Sequence, residues 1–160
     1  MLRPNAPEEG WELPAHIKQQ VKSPNNPLQA RAKELGIVMN QRERIPSTRR
    51  AHEATEYARA KGNIDPFHHA LLRRYWSESE DLHDWATLRA AAVEANLDAD
   101  EMQREVTEGK WKRAVDVFLQ EAAQRQVNSV PTFVINEKHA IPGAQNAETF
   151  RQVLRKIKVL

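Results

Sequence analysis

From Ser47 to Gln126 the apolar residues recur at three- and four-residue intervals, the spacing of helices with one buried face. Ser47 or Thr48 opens one helix that runs to about Lys61 and closes at Gly62, with Ala51, Ala54, Tyr57 and Ala58 on its inner stripe. Asp65-Pro66 opens a second, whose stripe is Phe67, Ala70, Leu71, Arg74 and Tyr75. Asp84 caps a third, with Leu88, Ala91, Ala92 and Ala95 facing inward. Asp98 and Glu101 have the spacing of a capping box and start a helix carrying Met102, Glu105 and Val106 that ends near Gly109. A fifth, Trp111–Gln126, places Trp111, Val115, Phe118, Leu119 and Ala122 on one side.

The pattern changes on either side of this block. Five of the nine prolines fall within the first 27 residues, so residues 1–26 read as mostly irregular, with a short helix near Leu13–Val21. Asn26 then caps a helix over Pro27–Leu35, with Leu28, Ala32 and Leu35 sharing a face and Gly36 beyond its end. After Val127 the character changes sharply. Val130-Pro131-Thr132-Phe133-Val134-Ile135-Asn136 is the chain's best strand, Glu137-Lys138 turns it, and His139-Ala140-Ile141 returns antiparallel. Asn146 caps a last helix with Phe150, Val153, Leu154 and Ile157 as its apolar stripe. Three regions result: an irregular segment 1–26 with a remnant strand, a helical domain 27–126, and a β-β-α unit 127–160.

Composition sharpens this in two ways. Leu, Ile, Val and Phe total only 34 of 160 residues while Ala alone supplies 21, so the helices are expected to pack closely through small side chains. The chain contains no cysteine, which excludes disulfides, thiolate metal sites, iron–sulfur clusters and cysteine nucleophiles. The net charge is +2 with acids interspersed among the bases, so no nucleic-acid footprint stands out. No apolar run has the roughly 20 residues of a membrane span, and the start lacks the apolar core of a signal peptide, so a cytoplasmic location is expected. His68 and His69 are adjacent and diverge on a helix, no H-x-x-x-H spacing occurs, and Ser129 lies on no nucleophile elbow. Neither a catalytic residue nor a metal or cofactor site is expected. The tryptophans Trp11, Trp76, Trp85 and Trp111 read as packing residues.

The closing stretch Val130-Pro131-Thr132-Phe133-Val134-Ile135-Asn136, with Ile141-x-Gly143-Ala144-Gln145, resembles the end of a thioredoxin-like domain of the DsbA family. Leu2-Arg3-Pro4 with Glu9-Gly10, Thr48-Arg49-Arg50-Ala51-His52 with Tyr57-Ala58, and Leu71–Trp76 with Asp81-Leu82-His83-Asp84 and Leu88 resemble the FrnE and 2-hydroxychromene-2-carboxylate isomerase branch. The resemblance implies an α/β thioredoxin-like fold that is mostly helical, with a helical domain inserted before a cis-proline. It assigns Val130, Pro131 and Thr132 to substrate binding, with the backbone of Val130 facing an extended chain. The family function it implies is thiol–disulfide oxidoreduction, yet the Cys-x-x-Cys motif has no counterpart here, and the isomerase branch's glutathione chemistry uses a residue of that same motif. The chain aligns from what resembles the end of the family's second strand, so a truncated sheet is expected, with the strand at Thr132–Asn136 lacking its usual neighbour. Three things could fill that place: a second copy of the chain, a separate chain or extended peptide, or residues 1–26 folding back.

Overall fold

The computed structural model describes residues 7–158, so the motif Leu2-Arg3-Pro4 lies outside the described residues. In chain order the elements are β1 (Trp11–Glu12), α1 (Ala15–Lys22), α2 (Pro27–Glu34), β2 (Arg44–Ile45), α3 (Arg49–Ala60), α4 (Ile64–Trp76), α5 (Trp85–Glu94), α6 (Ala99–Thr107), α7 (Lys112–Gln124), β3 (Thr132–Ile135), β4 (His139–Pro142) and α8 (Ala147–Lys156). They form two compact units, residues 2–117 and 118–160, and the division falls within α7.

The first unit is built on α3 to α6. Ala51, Ala54, Ala58, Ala70, Ala91, Ala92 and Ala95 are all buried and let the helix axes approach, which is where the high alanine content is used. Larger side chains fill the spaces between them: Tyr57, Phe67, Leu88 and Met102 are fully buried. Each such burial is worth about 1.5–3 kcal/mol of transfer free energy. Polar groups brace the same helices. Asp98 caps α6 by accepting from the Asp100 and Glu101 amides. The second half of the expected capping box does not form, because the Glu101 carboxylate turns to the Tyr57 hydroxyl (2.7 Å) and the Lys61 ammonium (2.7 Å). Buried Glu105 accepts from Lys110 Nζ at 2.5 Å and Trp111 Nε1 at 3.1 Å, while Trp111 meets the Tyr57 ring edge-on. The Arg49 guanidinium ties α3 to the start of α7 through Glu53, Asp116 and the Lys112 carbonyl.

Two short strands were too brief to be read from alternation. β1 and β2 pair antiparallel with Trp11 opposite Ile45 and Glu12 opposite Arg44. Gly10, with φ +74°, leads into them. A Cβ there would lie 2.2 Å from the Ile45 carbonyl oxygen, so only glycine fits. Asn26 caps α2 as expected, but of its shared face only Ala32 is buried; Leu28 and Leu35 are exposed. Asp84 occupies the position before α5 without a side-chain cap bond, and α4 begins at Ile64 rather than at Asp65-Pro66.

The second unit pairs β3 with β4, and α8 follows, capped by Asn146 accepting from the Thr149 amide. Among its described residues only Ile141 is buried. Phe118, expected on the inner stripe of α7, is exposed, and the apolar stripe of α8 contains no buried residue. No helix among the described residues is long and apolar enough to cross a membrane.

Candidate functional site

Val130, Pro131 and Thr132 sit in sequence at the entrance to β3. The Val130–Pro131 peptide bond is cis. Val130 is 62 % exposed, Pro131 is exposed, and Thr132 is half-buried with its hydroxyl donating to the Ser129 carbonyl at 2.6 Å. The Gly143 amide donates to the Pro131 carbonyl at 2.7 Å, which extends the β3–β4 register by one pair beyond Thr132↔Pro142.

That bond fixes which way the rest of the strand faces. In an antiparallel ladder, pairs that exchange main-chain hydrogen bonds alternate with pairs that do not. Pro131 bonds to Gly143, so Phe133 and Ile135 are the residues that bond across to Ile141 and His139. Thr132 and Val134 are then the non-bonded positions, consistent with Pro142, opposite Thr132, having no N–H to give. Their amides and carbonyls point to the other edge of β3. Among the described residues the sheet has two strands, so nothing pairs with that edge.

Exposed apolar side chains lie along this strand. Phe133 and Val134 are 42 % and 45 % exposed, and Phe133 packs edge-on against Phe150 of α8 with centroids 4.8 Å apart. The three residues singled out from the sequence are therefore brought together. Val134, which offers an edge amide, lies in the strand expected to lack its neighbour, and Gly143, which locks the register, lies in the closing motif, but neither was assigned a site role. His52, His68 and His69 are exposed on α3 and α4, His83 lies in the loop before α5, and His139 is on β4 opposite Ile135. Among the described residues no group of three or more His, Asp or Glu side chains is placed to hold a metal ion.

A family model for the DSBA-like thioredoxin domain matches residues 2–155. The chain belongs to the DSBA-like thioredoxin family. A crystal structure of a probable DsbA oxidoreductase from Streptomyces coelicolor superposes on this DSBA-like chain with a TM-score of 0.79. The two are 24 % identical in sequence, and the match covers 97 % of this chain and 71 % of that one. No curated protein matches the sequence. The DSBA-like fold is mostly helical here, with only two small two-stranded sheets among the described residues. Thiol–disulfide exchange needs a thiolate to attack a disulfide sulfur, and none of the 160 residues of this DSBA-like chain is a cysteine.

Proposed function

We propose that this chain is a FrnE-like member of its family that carries no thiol–disulfide chemistry of its own and acts by holding an extended polypeptide segment along β3. The observation that supports it is the free edge. Thr132 and Val134 aim main-chain groups away from β4, at an edge unpaired among the described residues and beside exposed apolar side chains, the arrangement in which an added strand gains hydrogen bonds and side-chain contacts together. The FrnE assignment rests on Thr48–His52 and on the Asp81–Asp84 stretch with Leu88. The segment held is either a peptide substrate or a strand from a separate chain, and the sparse burial within residues 118–160 favours a partner that adds apolar cover.

The test is calorimetric titration of the chain with extended, β-forming peptides. Val134→Pro is the informative variant, because the Val134 amide faces the free edge and its loss leaves the β3–β4 hydrogen bonds in place. Binding that disappears in Val134→Pro and weakens in Pro131→Ala supports the reading. Binding unchanged in both variants removes the edge as the site.

A further inference from the structure

The charges of the two units are managed differently. In residues 2–117 most described Lys and Arg side chains are ion-paired, several of them in networks such as Arg73 and Arg74 with Glu78, Glu80 and Glu94. Residues 118–160 carry six Lys and Arg against three Glu. Of those six, only Arg151 has an ion pair with a described carboxylate, Glu148 at 3.5 Å. Arg125, Lys138, Arg155, Lys156 and Lys158 have none.

Two of these cations flank β3 along the chain, and others lie on the helix that meets it. Arg125 follows the end of α7 in the segment leading to β3, and Lys138 lies in the turn leaving it. Arg155 and Lys156 are on the last turn of α8, the helix whose Phe150 meets Phe133 of β3. Cations at a helix C-terminus are favourable in their own right, which accounts for part of the α8 group. It does not account for Lys138, which is in no helix.

We infer that the segment held along β3 is acidic: an extended peptide with apolar residues against Phe133 and Val134 and carboxylates beyond them that meet Arg125, Lys138 and the end of α8. This rests on the docking reading above and names its partner class. A second copy of the chain fits the same edge less well. A self-complementary contact would set this basic unit against itself, and like charges facing one another oppose association.

The experiment titrates the full chain with three capped Val/Thr-alternating peptides that differ only in their flanks: glutamate, glutamine or lysine. The glutamate peptide is expected to bind roughly tenfold more tightly than the glutamine peptide, the sum of a few exposed ion pairs, with the preference shrinking as salt is raised. In Lys138→Glu/Arg155→Glu, both at exposed positions, the preference shifts to the lysine peptide. Equal affinity for the glutamate and glutamine peptides overturns the acidic partner while leaving strand docking intact. A dimer seen by sedimentation that is lost in Val134→Pro assigns the edge to a second copy and also overturns the acidic partner. A chain that stays monomeric and binds none of the three peptides overturns the docking reading itself.

Discussion

The contrast between the two units makes a direct prediction about where stability resides. Phe67 is fully buried as one of a cluster of fifteen buried residues contributed by α3 to α6 and the adjoining turns. Phe67→Ala removes its transfer free energy and leaves a cavity, for a loss of about 3–5 kcal/mol. Phe150 is half-buried, with Phe133 as its ring partner. Phe150→Ala loses an edge-on pair worth about 0.5–1.5 kcal/mol plus part of one side chain's burial, about 1–2 kcal/mol in all. Urea unfolding followed by far-ultraviolet circular dichroism separates the two. With a slope of about 2 kcal/mol per molar urea, Phe67→Ala moves the midpoint down by about 2 M. Phe150→Ala moves the helical midpoint by less than half as much. Its main effect is local: amide exchange through β3 and β4 accelerates while exchange in α3 to α6 is unchanged. Equal midpoint shifts for the two variants would refute the reasoning, because they would mean that Phe150 belongs to the same cooperative core as Phe67.

Other consequences can be checked as directly. With dithiothreitol as the reductant, the chain is expected to give no acceleration of insulin disulfide reduction over dithiothreitol alone, since it offers no thiolate; a catalysed rate above that background contradicts the reading. Glu105→Ala leaves the Trp111 indole N–H and the Lys110 ammonium without their acceptor and lowers stability by about 1–3 kcal/mol, read from the thermal midpoint together with a shift in tryptophan emission. Lys61 and the Tyr57 hydroxyl hold the Glu101 carboxyl below its ordinary range. A depressed carboxyl contributes stability that is complete above its unfolded-state value and is lost as pH falls through its folded-state value. Tyr57→Phe therefore raises the Glu101 titration toward the ordinary range, measured by carboxyl nuclear magnetic resonance, and makes acid unfolding less steep; an unmoved titration would show that the hydroxyl contributes nothing. Gly10→Ala sets a Cβ against the Ile45 carbonyl and unpairs β1 from β2, seen as loss of amide protection at Trp11 and Glu12.

Much of this molecule was legible from local chemistry. The three- and four-residue spacing located α3 to α7, and the inner stripes of α3, α5 and α6 are buried as read. Asn26, Asp98 and Asn146 cap the helices they were assigned, because an N-cap depends on residues within one turn. The β3–β4 hairpin follows from a run of β-branched and aromatic residues and its turn, and the site residues Val130, Pro131 and Thr132 are consecutive, so no long-range contact was needed to bring them together. The absence of sulfur chemistry is a property of composition alone.

What required tertiary structure was the fate of each apolar stripe and each surplus polar group. Periodicity states that a helix has an apolar face; only a neighbour determines whether that face is buried. The stripes of α3 to α6 cover one another, whereas that of α8 and Phe118 on α7 are left partly open, although their sequence patterns are equally strong. Glu101 has the spacing to complete a capping box, and it is Tyr57 and Lys61, 44 and 40 residues away in sequence, that draw it off. The two-residue strands β1 and β2 are too short to show alternation and exist only because Gly10 lets the two segments approach. The free edge of β3 was likewise decided by pairing: the bond from Gly143 to Pro131 turns Phe133 and Ile135 toward β4 and leaves Thr132 and Val134 facing outward, since successive residues of a strand cannot direct their hydrogen bonds the same way.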